Sequence, residues 1–194
     1  MEFDFDETLI LENDRSRLEP LTEEHFSELL PIALAHPDLL RYSPSAFGNE
    51  AHLKAYFGAA LVAKALEERY PFAIFDKQTQ QYAGSTSFGN ISNTHQRLEI
   101  GWTWITPALQ RTGLNRNNKL LMLSYGFETL DFKRIELKSD SRNEQSRRAM
   151  EAIGATYEGE LRSHTLMPDG FRRSTVYYSI LREEWVDVKR NFFS

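Results

Sequence analysis

Apolar and polar residues in the first third of the chain alternate between strand-like and helix-like spacing. Short runs at about Thr8 to Glu12 and Ser16 to Pro20 predict an N-terminal strand pair. Thr22, followed by two acidic residues, is typical of a helix N-cap, and the helix that follows it is predicted to end at His36. A second helix is predicted from about Asn49, because its apolar residues recur at the spacing of a core-facing stripe. These residues are Leu53, Tyr56, Phe57, Ala60 and Leu61.

Three strands are predicted in the middle of the chain, at about Phe72 to Asp76, Tyr82 to Ile91 and Arg97 to Ile105. Strict alternation along the third strand assigns its residues to two faces. One predicted face carries Leu98, Ile100, Trp102 and Trp104, and the other carries Glu99, Gly101 and Thr103. Glu99 is therefore expected to point away from both tryptophans, which we assign to the core together with Phe88 and Phe127.

The second half of the chain alternates helices and strands. Helices are predicted from about Leu114 to Leu130 and from Asn143 to Ile153, the latter ended by Gly154 in a C-cap position. Strands are predicted at "RIELK" between these helices and then at about Thr156 to Leu166 and Arg172 to Leu181, with "MPDG" as the final turn. The order of elements predicts an α+β fold.

Composition narrows the class of protein. With 194 residues, 41% of them hydrophobic, and no repeat or linker, the chain is expected to form a single domain over residues 1 to 194. A net charge of -5 disfavours nucleic-acid and anionic-membrane partners. The absence of cysteine excludes thiolate metal sites and a cysteine nucleophile. The acidic N-terminus and the lack of an apolar run of about 20 residues favour a cytoplasmic setting.

The stretch "WITPALQRTGLNRNNKLLML" joins a strand to a helix. Such a junction leaves about four amide N–H groups unpaired at the positive end of the helix dipole, which suits an anion. Gly113 lets the backbone approach a ligand, Gln110 and Asn115 offer donors, and Arg111 and Arg116 supply charge. A phosphate site is therefore predicted, and the alternative is an ordinary turn with solvated arginines. The pattern is neither GxGxxG nor GxxxxGK[ST], which disfavours dinucleotide and P-loop sites.

Two segments, "RLEIGWTWITPALQRTGLNRNNKLLMLSYGFETL" and "RIELKSDSRNEQSRRAMEAIGA", resemble the acetyl-coenzyme A core of the GNAT superfamily of N-acetyltransferases. The chain most resembles the branch of the ribosomal-protein alanine N-acetyltransferases, over about Arg17 to Trp185. Gln110 and Gly113 match the family loop Gln/Arg-x-x-Gly-x-Gly/Ala, whereas Asn115 stands where glycine or alanine is commonest. The resemblance implies the GNAT-like acyl-CoA N-acyltransferase fold, with a mixed central sheet splayed at the cofactor site and helices on both faces.

The resemblance also implies acetyl-CoA as the acyl donor, with no metal. The pyrophosphate would lie against the loop and helix start, namely Gln110, Arg111, Thr112, Gly113, Leu114, Asn115 and Arg116. Backbone groups near Trp102, Trp104 and Ile105 would hold the thioester oxygen. A second motif, Asp140-x-x-Asn143-x-x-Ser146, implies that Asn143 binds the pantetheine arm and that Ser146 lies near the sulfur. Asn143 is also a candidate N-cap, and the two roles are compatible.

Catalytic and acceptor residues follow from the same resemblance. Glu99 matches a glutamate that serves as general base in related enzymes, and the alternative is a salt bridge at a strand edge. Many members carry a tyrosine acid where this chain has Met150, so we select Ser146 as the substitute. The final hairpin often borders the acceptor site in this superfamily. The acceptor candidates are His164, Tyr177 and Tyr178 in this hairpin and Tyr42 in the loop Leu39 to Phe47.

The predicted function is transfer of an acetyl group from acetyl-CoA to an amine, either a protein N-terminal α-amine or a small-molecule amine. One alternative is a coenzyme A-binding sensor or interaction protein without catalysis. Another, a nucleotide-binding module, is disfavoured because the chain lacks a ribose-binding acidic residue in the expected βαβ context. No metal, nucleic acid or membrane partner is expected. A homodimer is compatible with the sequence, which does not fix the oligomeric state.

Overall fold

The computed structural model of the protein describes residues 1–193, which form eight strands and five α-helices. The strands are β1 (Leu11–Glu12), β2 (Ser16–Pro20), β3 (Arg69–Asp76), β4 (Gln81–Ser92), β5 (Arg97–Ile105), β6 (Arg134–Asp140), β7 (Thr156–Leu166) and β8 (Arg172–Leu181). The helices are α1 (Phe26–Ala35), α2 (Glu50–Ala65), α3 (Leu114–Ser124), α4 (Glu144–Glu151) and α5 (Trp185–Phe192). Short 3-10 turns precede α1 and follow β5, at Glu23–His25 and Pro107–Leu109.

All eight strands belong to one mixed sheet with the order β1-β2-β3-β4-β5-β6-β8-β7, in which only the β5–β6 pair of the described chain is parallel. Within residues 1–193 this pair spans three positions, from Arg97 opposite Arg134 to Glu99 opposite Glu136. The two strands then separate, although β5 continues to Ile105 and β6 to Asp140. The splayed mixed sheet of the predicted fold is confirmed, and backbone groups of β5 face the gap.

Helices cover both faces of the sheet, as predicted. On one face, which we call the α1/α2 face, Leu29, Leu53 and Phe57 pack with Trp104. On the other, the α3 face, Leu123, Phe127 and Trp185 pack with strand residues such as Leu98, Ile100 and Tyr178. Burial of these side chains from water is the main favourable contribution to the fold.

The predicted alternation along β5 is wrong beyond Gly101. Trp102 has a φ of +50°, and the register shifts so that Gly101 lies opposite Ser87 while Trp104 lies opposite Ser85. One extra residue in β5 makes this a β-bulge, which changes the face on which later side chains lie. Trp102 and Trp104 therefore lie on the face of Glu99, and Thr103 turns toward α3. Trp104 is a core residue, as are Phe88 and Phe127, whereas Trp102 is only half-buried.

The main differences from the predicted elements are at β1, α3 and α5. β1 is shorter than expected because the amide of Leu9 donates to the Tyr70 hydroxyl (3.0 Å) instead of to a strand. The helix predicted to reach Leu130 changes after Ser124 into one π-helical turn, in which Leu130 N–H donates to Tyr125 C=O. Helix α5 was not predicted, although Trp185 and Val188 are buried on one of its sides.

Candidate active site

The start of α3 is an open helix N-terminus. Its N-cap, Gly113, has a φ of +88°, and a Cβ built there would meet no heavy atom within 4 Å. The first helical bond runs from Asn117 N–H to Gly113 C=O (3.0 Å), so the amides before it have no partner within the helix. Free amides, a positive dipole end and open space beside the glycine fit the predicted phosphate site.

The two arginines of this loop have different surroundings. Arg111 is exposed and makes neither an ion pair nor a hydrogen bond within residues 1–193, so it is available to an anion. Arg116 instead donates to the Phe192 carbonyl and lies 5.9 Å from the Phe193 ring. Arg116 therefore contacts the end of α5. Arg111 is the better candidate to bind a phosphate.

Other loop side chains mainly build the turn. Gln110 donates to the Ile105 carbonyl (3.0 Å) and accepts from Gln145 (2.9 Å), which links the loop to α4. Thr112 Oγ1 donates to the Leu109 carbonyl (2.8 Å). The Leu114 side chain is fully buried, so only its backbone could meet a ligand. The buried Oδ1 of Asn115 has no hydrogen-bond partner in the part of the chain described.

The second motif begins α4. Asn143 is its N-cap, since Oδ1 accepts from the Ser146 N–H (3.1 Å), while the Asn143 side-chain amide and the Ser146 hydroxyl bond to nothing else among the described residues. Just before them, Arg142 donates to Asp140 (2.6 Å). Burial acts to raise the pKa of Asp140, but hydrogen bonds and charge from Arg142 outweigh it and lower that pKa. The predicted cap is confirmed, and both polar groups remain free for a ligand.

Glu99 lies in the interior of the sheet and is 2% exposed. Its Oε2 accepts from Lys138 Nζ (2.8 Å) and from Asn90 Nδ2 (2.5 Å). Its Oε1 has no hydrogen-bond partner within residues 1–193 and would lie 2.7 Å from a Cβ at Gly101. The salt bridge considered for Glu99 is therefore present, although not at a sheet edge, and one carboxylate oxygen remains available to accept a proton.

Aromatic and basic side chains surround Glu99 on the α1/α2 face. The Trp102 ring lies over Gly89, which pairs with Glu99, and a Cβ at Gly89 would be 2.4 Å from that ring. Lys138 Nζ and the Arg69 guanidinium lie 5.9 Å and 4.9 Å from Trp102 ring centroids. Glu99 is thus enclosed by side chains that exclude most water.

Two of the predicted acceptor residues lie on this face. Tyr177 pairs with Lys138 across β6 and β8, and His164 lies 6.2 Å from the Tyr177 ring and bonds to Thr175 (3.1 Å). Tyr178, by contrast, is fully buried on the α3 face, where its hydroxyl donates to Glu151 (2.9 Å). Its assignment as an acceptor residue is wrong because neighbouring strand residues point to opposite faces.

Tyr42 lies in the α1–α2 loop and borders a cleft of about 370 Å³. Its carbonyl accepts from Arg173 (2.6 Å), which ties the loop to β8. The cleft is also lined by Gln110 and Asn143, two residues predicted to bind the acyl donor. The structure therefore brings the predicted acceptor loop and both donor motifs to one opening.

Lys119 is a buried lysine on α3, 7% exposed. Its Nζ donates to Thr103 Oγ1 (3.2 Å), which also contacts Thr86 (2.7 Å). Burial lowers the pKa of Lys119 to about 7, and the charge of Glu99 only partly opposes that effect. The amine is therefore largely neutral above neutral pH.

Comparison with known families agrees with this geometry. Residues 15–156 match the model of the acetyltransferase (GNAT) domain, which is most of the chain. The chain belongs to the GNAT N-acetyltransferase family. Within the part of this GNAT domain that the structure describes, no helix has both the length and the apolar character required to cross a bilayer.

Similar proteins carry related names. The GNAT domain is 32% identical over 106 residues to "Putative ribosomal N-acetyltransferase YdaF" of Bacillus subtilis (strain 168), covering 55% of this chain and 57% of that relative. It is 27% identical to "Uncharacterized N-acetyltransferase YoaA" of the same strain, over 89% and 97% of the two chains. A crystal structure of a GCN5-related N-acetyltransferase from Brucella melitensis matches with a TM-score of 0.89 and 26% identity, over 98% and 86% of the chains. These similarities support an acetyltransferase.

Sequence reasoning missed several residues at this site of the GNAT domain. Arg69 was outside the predicted strand, which began at Phe72, whereas β3 starts at Arg69. The position of Lys119 could have been recognised, because Lys119 and Leu123 share one side of α3 at i, i+4 spacing. Asn90 and Lys138 carried no local signal, since their contact with Glu99 depends on strand register.

Proposed function

We propose that this GNAT domain transfers the acetyl group of acetyl-CoA to the α-amine of an acceptor. The observation that carries the proposal is the position of Glu99, whose uncommitted Oε1 lies on β5 at the last residue paired with β6. Beyond it the strands separate and β5 offers backbone groups to a ligand. A carboxylate that can accept a proton, placed at the edge of an interstrand gap, suits a reaction between an acyl donor bound in the gap and an amine.

Acetyl-CoA supplies the acetyl group as a thioester. The open N-terminus of α3 and the exposed Arg111 would bind its phosphates, because both place positive charge at an accessible site. The unpaired backbone of β5 and the free amide of Asn143 would bind its amide-bearing arm. N–H groups beside the Trp102 bulge would stabilise negative charge on the carbonyl oxygen.

Glu99 would act as the general base. A protonated amine has no lone pair for attack, so Oε1 accepts its proton while Oε2 is held by Lys138 and Asn90. The nitrogen can then form its bond to the acetyl carbon as the carbon–sulfur bond breaks. As the amide forms, the nitrogen loses its second proton; the Ser146 hydroxyl, which has no acceptor among the residues described, would pass its own proton to the sulfur and take up this one, while the first proton stays on Glu99 until it is released to water.

An α-amine is the favoured acceptor on energetic grounds. Its pKa is about 8, against about 10.4 for lysine, a difference of roughly 3 kcal/mol in forming the free base. A carboxylate is a weak base, so it suits the α-amine, whose deprotonation costs less free energy. The name of the Bacillus subtilis relative, a putative ribosomal N-acetyltransferase, supports a ribosomal component as the acceptor.

The experiment is a thermal stability scan with coenzyme A, acetyl-CoA and longer acyl-CoA esters, followed by thiol release with a panel of amines and peptides. We expect acetyl-CoA to raise Tm, since a ligand at 100 times its Kd adds about 2.7 kcal/mol. Amine-dependent thiol release should follow. Stabilisation without release for any amine would favour the sensor alternative, and no stabilisation at millimolar concentration would refute the proposal.

A further inference from the structure

Arg69 is a buried cation near the proposed reaction site. It is 6% exposed and lies at the start of β3. Its Nε donates to Ser87 Oγ (2.7 Å) and its Nη2 to the Tyr56 hydroxyl (2.8 Å). The guanidinium also lies 5.2 Å from the Tyr56 ring centroid and 4.9 Å from that of Trp102. Neutral groups therefore fix its position.

The charge of Arg69 has no direct counterion. In the described chain no carboxylate lies within 4.0 Å of it, and Nη1 bonds to nothing but is not among the fully buried unpaired atoms. Burying an unpaired charge is costly, and a cation–π contact repays only part of that cost. An accessible guanidinium edge held rigidly by neutral neighbours is the arrangement that binds a carboxylate in two-point geometry.

Arg69 lies on the same face as Glu99. Arg69 pairs with Gly89, and Gly89 pairs with Glu99, so the two residues are two strand spacings apart, or about 10 Å between Cα atoms. The Trp102 ring lies over Gly89 between them. A molecule that lies across the outer face of this ring can present an amine to Glu99 and an anion to Arg69.

A second buried arginine strengthens the positive character of this face. Arg173 is 9% exposed, and its Nε is buried without a partner in the structure's described part. Its Nη1 donates to the Tyr42 carbonyl, and no carboxylate of residues 1–193 lies within 4.0 Å of its guanidinium. Glu99 itself already has Lys138 as its counterion, so it does not neutralise either arginine by direct contact.

We propose that the acceptor is an amine that carries a carboxylate, and that Arg69 binds this carboxylate while the amine faces Glu99. The inference rests on the proposed acetyl transfer and adds the substrate class. The carboxylate belongs either to a free amino acid or to an acidic side chain near the N-terminus of a peptide, because Arg69 would bind both through the same chemistry.

The test compares matched acceptors in wild type, Arg69→Gln and Arg69→Lys. One arm uses leucine and leucinamide, and the other uses the amidated peptides Ala-Glu-Phe and Ala-Gln-Phe. Each pair is measured by kcat/KM and, independently of turnover, by calorimetric binding of the corresponding N-acetyl products. Arg148→Gln is the matched control, since it removes an arginine that is largely exposed on α4. The ratio of kcat/KM between the carboxylate-bearing and the neutral acceptor is compared from one variant to the next. This comparison cancels the intrinsic difference in basicity between the two amines.

In at least one arm, we expect wild type and Arg148→Gln to prefer the carboxylate-bearing acceptor, leucine or Ala-Glu-Phe, tenfold to a hundredfold over its neutral partner. This is the range that a hydrogen bond to a charged group predicts. Arg69→Gln should abolish the preference, and Arg69→Lys should restore part of it. Equal kcat/KM and equal binding for acid and neutral forms in both arms of wild type would overturn the inference, whether or not the variants fold. Preferential binding of acid products that depends on Arg69, without any turnover, would support the carboxylate site and refute the proposed transfer.

Discussion

Lys138 and Glu99 form an ion pair of 2.8 Å that uses only one of the two carboxylate oxygens. Asn90 donates to the same oxygen, Oε2, so both donors orient the group without covering Oε1. A purely structural ion pair would give Lys138 and Glu99 equal importance. A catalytic carboxylate makes Glu99 essential to the chemical step and Lys138 only supportive.

Glu99→Gln should lower kcat about a hundredfold or more, the range typical of a lost general base, while acetyl-CoA affinity stays unchanged. The rate should partly recover as pH rises, because the acceptor then loses its proton unaided. Initial rates over a pH series measure both effects. Lys138→Met is the comparison variant and should retain much more activity; equal losses in the two variants would indicate a structural ion pair.

Gly113→Val should weaken acetyl-CoA binding at least tenfold. The site beside Gly113 is open, so the variant should fold, at a cost of about 1–3 kcal/mol for a branched residue at positive φ. Gly170→Val tests whether backbone strain alone explains the loss, since Gly170 also has positive φ (+82°) and open space but lies between β7 and β8. Calorimetric titration should find normal affinity in that control. Normal affinity in Gly113→Val would mean that the loop is only a turn.

Ser146→Ala separates acid catalysis from ligand orientation. Because the hydroxyl has no partner within residues 1–193, its removal should not affect stability, and we expect a slower single-turnover rate with acetyl-CoA affinity within a factor of a few. Asn143→Ala, which removes the N-cap of α4, should instead cost about 1 kcal/mol of stability. An unchanged single-turnover rate would rule out Ser146 as the acid.

The sequence predicted the sheet, four of the five helices and the α3 and α4 motifs because each depends on local periodicity or capping. β2, for example, has the predicted bounds, and Asn143 caps α4 as expected. The bulge at Trp102 could not be predicted, since a positive φ at a tryptophan has no signal in residue type. Its consequence is large, because it brings Trp102 onto the face of Glu99.

The site itself was predicted less completely than the fold. Glu99 and Ser146 were selected through family resemblance, whereas the partners of Glu99, Asn90 and Lys138, come from the two neighbouring strands β4 and β6 and depend on register. Arg69 is separated from Glu99 by 30 positions in sequence and by two strand spacings in the sheet. Contacts of this kind follow from tertiary structure, and alternation within one strand does not reveal them.

Lys119→Met should stabilise the protein below pH 7 by an amount on the order of a few kcal/mol. The pKa of Lys119 falls from 10.5 to about 7 on folding, so the unfolded chain binds more protons between these values and wild-type stability rises with pH there. The advantage of the variant should therefore shrink from pH 7 toward pH 10.5. Chemical denaturation at several pH values measures it, and a pH-independent difference would show that the ammonium is not desolvated.

The most direct measurement is mass spectrometry of one peptide that carries both a free α-amine and an internal lysine, incubated with acetyl-CoA and the protein. An acidic residue at its second position satisfies the proposed carboxylate contact, and a peptide with a blocked N-terminus serves as control. We predict one added acetyl group on the α-amine, released thiol in equal amount, and no product from the blocked peptide. Acetylation confined to the lysine, or no acetylation of any amine despite bound acetyl-CoA, would contradict the account.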